Sequence, residues 1–259
     1  WKFYADNDWT AGLFYWTGFD YRGETTPMGW PATGSQFGIL DYCGFPKDEA
    51  FYLQAAWRDE PLLHIFPHWN LKGHEGEQVD VWVYSNCDEV ELVVNGKKMG
   101  KKSMPVNGHL SWSTTYQPGT LKAIGYKNGK KVKEEILTTN YTPVQLALEA
   151  SKTTLCADNQ DVAVVTIQLT DKKNNLIPTA CQDVQITGEG NARILGVGNG
   201  DPAFKGAQNP NDLSCKTFMV PSFNGLAQVL IQSSHEAGTI QVTCTSDKVK
   251  PATITLLSK

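Results

Sequence analysis

The sequence contains no hydrophobic run approaching the roughly 20 residues that a membrane-spanning helix needs, so a helical span is excluded. Nor does it carry a large charge of one sign. Lys and Arg number 23 against 27 Asp and Glu, a formal net charge of −4. That balance argues against nucleic acid or an anionic membrane as the main partner. The six cysteines, at 43, 87, 156, 181, 215 and 244, include no CxxC pair and no close Cys/His cluster. Zinc-ligand spacing is absent, no disulfide is demanded, and nothing calls for a metal or another cofactor. His64 and His68 stand four apart, but Pro67 between them bars a shared helix face. There is no serine in a nucleophile-elbow context and no phosphate-binding glycine loop, which leaves hydrolase triads and nucleotide sites without support.

What is present is aromatic and rich in turns: 8 Trp, 9 Tyr, 10 Phe, 13 Pro and 23 Gly in 259 residues, room for about two ordinary domains. The chain opens on Trp1-Lys2-Phe3-Tyr4 without an initiator Met or a leader. An aromatic element that begins so abruptly is expected to belong to something larger, the alternative being a processed mature end.

Six of the eight tryptophans fall in residues 1–73. There the apolar run Gly12-Leu13-Phe14-Tyr15-Trp16-Thr17-Gly18-Phe19 predicts a strand of a parallel sheet, buried on both faces. A polar, Gly/Pro-rich excursion follows from Arg22 to Gly44. Residues 46–57 then suit a helix, with Pro46 at its start and Asp48 and Glu49 near the positive end of its dipole. From Gln78 the period changes to two. Val79, Val81 and Val83 alternate with Asp80, Trp82 and Tyr84, and Val90, Leu92 and Val94 continue the pattern. Asn95-Gly96 and Asn128-Gly129 predict tight hairpins, and the lysines beside them read as solvated turns and a lysine-defended edge strand. After a linker at Asn140-Tyr141-Thr142-Pro143, strands are expected over 162–169, 183–187, 226–232, 239–243 and 253–257, a second β-sandwich.

The candidate chemistry lies in the first zone. Asp20 and Glu24 follow directly on the apolar run, where barrel enzymes place functional groups, and Trp16 lies near the same end. An indole face stacks on the C–H face of a sugar, and carboxylates bind its hydroxyls. The competing reading buries Trp16 in a core and spends Asp20 on loop amides.

Longer motifs carry a resemblance. Tyr15-Trp16-Thr17-Gly18-Phe19-Asp20-Tyr21-Arg22-Gly23-Glu24, Trp30-Pro31-Ala32, Phe37-Gly38-Ile39-Leu40-Asp41 and Gly44-Phe45-Pro46-Lys47-Asp48 resemble the end of the catalytic barrel in family 2 glycoside hydrolases of the bacterial β-galactosidase type. His64-Ile65-Phe66-Pro67-His68-Trp69-Asn70 and residues 81–92 are similar to the sandwich that follows that barrel. Gly196-Val197-Gly198-Asn199-Gly200-Asp201-Pro202 and Phe223-Asn224-Gly225-Leu226-Ala227 are similar to a further C-terminal domain.

The resemblance implies a mainly β chain: the tail end of a (β/α)8 barrel in residues 1–73, followed by immunoglobulin-like sandwiches over 74–143 and 144–259. It implies a carbohydrate ligand, an upstream barrel of the same protein as partner, and a periplasmic or extracellular bacterial location. Trp16 matches the family's active-site tryptophan. Asp20 and Glu24 lie in the matching motif as substrate-binding candidates, and no acid here matches the two catalytic glutamates. The alternative is a non-catalytic glycan-binding or adhesion protein built from immunoglobulin-like modules.

Overall fold

The computed structural model describes residues 1–25, 28–30, 32–206 and 214–259; Pro31 of the Trp30-Pro31-Ala32 motif lies outside them. The described chain is mainly β and forms two compact units. One comprises Trp1–Asp20, Phe37–Leu40 and Pro46–Thr139; the other comprises Tyr21–Gln36, Asp41–Phe45 and Asn140–Lys259.

In the first unit, the short helix α1 (Lys2–Ala5) and helix α2 (Asp48–Trp57) precede seven strands. These are β1 (Leu63–Phe66), β2 (Gln78–Ser85), β3 (Glu89–Val94), β4 (Lys97–Ser103), β5 (Leu110–Thr115), β6 (Thr120–Lys127) and β7 (Lys130–Thr138). They pair antiparallel into a three-stranded sheet, β1-β2-β5, and a four-stranded sheet, β4-β3-β6-β7. The alternation read from the sequence aims Val81, Val83 and Trp112 of one sheet at Val90, Leu92, Leu121 and Ala123 of the other, in one buried cluster. Asn95-Gly96 and Asn128-Gly129 make the expected hairpins. Their φ values are 48° and 80° in the first pair, 51° and 73° in the second, the left-handed pairs that a twisted two-residue turn requires. Lys97, Lys98, Lys101 and Lys102 line the exposed edge strand β4, as the edge-protection reading expects.

The second unit holds β8 (Gln145–Ala150), β9 (Thr154–Leu155), β10 (Val162–Thr170), β11 (Asp183–Gly190), β12 (Ala192–Gly198), β13 (Thr217–Pro221), β14 (Leu226–Ser233), β15 (Gly238–Ser246) and β16 (Val249–Ser258). The order is β12-β14-β10-β8-β16-β15-β11-β13, with β9 beside β16. Between β8 and β16 the sheet is joined by a single parallel pairing, Lys250 with Gln145. The two halves fold over one core, in which Val165, Ile167, Val229 and Ile231 meet Val184, Ile186, Ile240 and Leu256. Cys244 points into this core beside Val242, and burial pushes its thiol up to about 12. All six cysteines are free.

One expectation fails. Residues 12–16 form no strand, and the run is not buried: Phe14 is fully exposed, and Tyr15, Trp16 and Phe19 are exposed too. A strand buried on both faces needs paired neighbours and covering layers. Here only Phe19 makes a bridge, parallel to Leu40. The helix after the excursion forms as expected, and no helix among the described residues is long and apolar enough to cross a membrane.

Candidate functional site

Three stretches of backbone converge just after the apolar run. Ile39 N–H donates to Thr17 O at 3.2 Å, Leu40 N–H to Gly18 O at 2.8 Å, and Asp20 N–H to Leu40 O at 2.9 Å. Residues 17–20 thus run parallel to 38–40. On the other side Lys47 N–H donates to Ile39 O at 2.9 Å, and the chain passes directly into α2. Trp16 stands at the head of this ladder, joined to Thr17 by a cis peptide bond, with its surface 73% exposed.

Asp20 is placed differently. It is only 7% exposed. Its Oδ1 accepts from the Gly38 amide at 2.8 Å and from Lys47 Nζ at 2.9 Å, and its Oδ2 lies 2.8 Å from the same ammonium. The carboxylate therefore clamps the three stretches together. Gly38 is required at this crossing, since an added Cβ would overlap the Asp20 amide and the Phe19 carbonyl carbon. Neither Gly38 nor Lys47 stands out as a site residue in the sequence. One signal was available for Lys47: a cation at the N-cap of a helix opposes the dipole unless an anion offsets it.

Glu24 belongs to the second unit, so the structure groups Trp16 with Asp20 but not with Glu24. It follows the first arm of a short antiparallel pairing in which Ser35 N–H donates to Tyr21 O at 2.8 Å and Gly23 N–H to Thr33 O at 3.0 Å. The Tyr21 hydroxyl donates to the Glu24 carboxylate.

Around α2 the titratable groups serve packing. His64 Nε2 lies 2.7 Å from Asp48 Oδ1, and its ring stacks on Phe51 with centroids 3.8 Å apart, which seats the helix on β1. Burial holds His68 below the usual histidine range, so its neutral Nδ1 accepts from the Asn70 amide at 3.2 Å. Partial burial, and then the charge of Glu49, hold the Tyr15 phenol above its ordinary range. Among the described residues no group of three or more His, Cys, Asp or Glu is placed to hold a metal. What the site offers chemically is an exposed indole at the head of a braced backbone ladder.

Known proteins resemble this chain in sequence and in fold. Residues 146–255 match the family described as glycoside hydrolase family 2 C-terminal domain 5, and residues 76–133 match a domain of unknown function (DUF4982). A β-galactosidase of Bacteroides ovatus is 41% identical over 98% of this chain and 29% of its own length. A β-glucuronidase of Formosa agariphila is 29% identical over 85% of the chain and 22% of its own length. The crystal structure of a β-glycosidase from Bacteroides vulgatus superposes with a TM-score of 0.86 at 33% identity, covering 99% of this chain and 32% of that one. The chain spans less than a third of each of these relatives.

Proposed function

This chain belongs to glycoside hydrolase family 2, as the C-terminal part of such a protein, and from that premise we propose that it helps to hold a β-galactoside in the pocket of a retaining glycosidase. In this reading residues 1–73 are the last strand, loop and helix of a (β/α)8 barrel. Residues 74–143 and 144–259 are two immunoglobulin-like accessory domains. A retaining mechanism needs two carboxyl groups about 5 Å apart, one as nucleophile and one as general acid/base. Both come from earlier barrel strands in a longer protein, and no acid of this chain takes either part. No cofactor is needed. The location is the periplasm or the cell exterior, on the strength of the resemblance.

The observation that carries this reading is the 73% exposed indole of Trp16 at the head of the clamped backbone ladder. A flat, rigid aromatic face held there can stack on a pyranose ring while polar neighbours meet its hydroxyls. Asp20 acts by fixing the backbone that follows Trp16, and Glu24 lies in the segment from Arg22 to Gly44 that the resemblance matches to a pocket loop. The exposed Phe3, Trp9, Phe14 and Tyr15 form the surface that the remaining barrel strands cover.

The test is made on the longer protein that carries this sequence, with an aryl β-galactoside as substrate. Trp16→Ala is expected to lower kcat/KM at least about tenfold, since tenfold is only about 1.4 kcal/mol of transition-state binding. Trp16→Phe is expected to keep part of it. A Trp16→Ala protein with wild-type kcat/KM would end the platform role. Preference for an aryl β-glucuronide would replace the substrate class. The 259-residue chain by itself is expected not to turn over either substrate. Turnover that survives repurification and disappears in Asp20→Asn or Glu24→Gln would put the active site in this chain instead.

A further inference from the structure

The motif Gly196-Val197-Gly198-Asn199-Gly200-Asp201-Pro202 lies in the second unit, at the end of β12 and in the turn after it. It is a rigid turn. Asn199, almost wholly buried, donates from Nδ2 to Pro221 O at 2.8 Å and accepts from the Asp201 amide at 3.0 Å. Gly198 and Gly200 face the segment 41–45. An added Cβ on Gly198 would meet Cys43 Sγ at 2.7 Å, and one on Gly200, where φ is +80°, would overlap the Asp41 carboxylate. Gln228 Nε2 donates to Cys43 O at 3.0 Å.

The other segment of the excursion is tied to the same turn. The Arg22 guanidinium donates to Phe204 O and lies 5.2 Å from the centre of the Tyr42 ring, while the Tyr42 hydroxyl donates to Ser35 O at 3.1 Å. Asp41 completes the arrangement from within by accepting the Cys43 and Phe45 amides at 2.8 and 2.9 Å. Every one of these contacts is made inside the second unit. Yet the segments they hold are joined by single peptide bonds to Asp20, Phe37, Leu40 and Pro46.

We propose that residues 196–204 and Gln228 form a latch that sets the position of residues 21–25, 32–36 and 41–45, so that the last domain governs substrate capture by holding the pocket loop. The second half of this statement rests on the glycosidase reading above. The latch itself does not. Residues Gly198, Gly200 and Gln228 are positioning residues, acting through Asp41, Cys43 and Arg22.

Cys43 reports the latch directly. Burial, with the Asp41 charge, pushes its thiol up to about 11, so iodoacetamide should label it slowly while the latch is closed. Cys244, buried in the core of the same unit, reports whether the fold is intact. In the 259-residue chain, Gly200→Ala is expected to speed alkylation of Cys43 at least about tenfold, read peptide by peptide by mass spectrometry, with Cys244 unlabelled. An unchanged Cys43 rate overturns the latch. If Gly200→Ala exposes Cys244 as well, Gln228→Leu decides in its place, with faster Cys43 labelling expected and an unchanged rate overturning.

A kinetic arm on the longer protein separates the two halves. Gly200→Ala is expected to raise KM at least about threefold with kcat held within about twofold, a loss of binding alone. A released Cys43 with unchanged KM leaves the latch standing and removes its link to substrate.

Discussion

The Asp20 clamp allows a direct measurement. In Asp20→Asn the side chain keeps its shape and can still accept the Gly38 amide, but the carboxylate charge beside Lys47 is gone. Breaking one half of a buried ion pair costs about 3–5 kcal/mol. Lys47 is 28% exposed, so water recovers part of that cost, and about 2 kcal/mol is the reasonable expectation. Since the clamp joins only residues 17–20, 38–40 and 47, the loss should appear as local opening. About 2 kcal/mol corresponds to roughly 30-fold faster exchange of the Asp20, Leu40 and Lys47 amides under native conditions. Lys47→Met should cost more, because it strands a carboxylate that is far more buried than the ammonium. The double variant Asp20→Asn/Lys47→Met should then be milder than Lys47→Met alone, a non-additivity of at least about 1 kcal/mol. Hydrogen exchange with peptide-level mass spectrometry reads all four proteins. Exchange of residues 37–47 within about threefold of wild type in Asp20→Asn, or strict additivity in the double variant, would refute the clamp.

Other outcomes can be stated briefly. Burial holds the Glu135 carboxyl above the ordinary range, against the opposing pulls of His64, the Ile65 amide and Lys133. An acid raised in the folded state contributes stability below its unfolded pKa that is lost as pH rises through the folded one. The Tm advantage of Glu135→Gln over wild type should therefore grow as pH rises above about 4, and calorimetry showing a constant difference would contradict it. Leu92→Ala removes a fully buried side chain between the sheets of the first unit and should cost about 2–5 kcal/mol in chemical denaturation. Finally, the chain by itself should self-associate through its exposed aromatic surface, Phe14 and Trp9 included, and a strict monomer at high concentration by sedimentation would count against a covered role for that face.

The strands were legible because their information is local. Alternating valines in β2 and β3, apolar runs in β10 and β14, and Asn-Gly pairs with left-handed φ each specify a period or a turn within a few residues. Helix α2 was legible for the same reason, through Pro46 and the acids of its first turn. The apolar run at 12–19 is exposed although its pattern predicts burial, because periodicity reports a preference for burial, while burial itself needs neighbours. Here one bridge from Phe19 to Leu40 is the only strand pairing the structure gives the run among the described residues.

The candidate site divides along the same line. Trp16 and Asp20 were found together in sequence, but the structure gives them opposite environments, an exposed indole and a buried carboxylate. Lys47 lies 27 residues from Asp20, and Gln228 lies 185 from Cys43. Pairings at such separations leave no period and no turn signature in the chain, and which donor meets which acceptor is settled only when the tertiary fold brings them within hydrogen-bond distance.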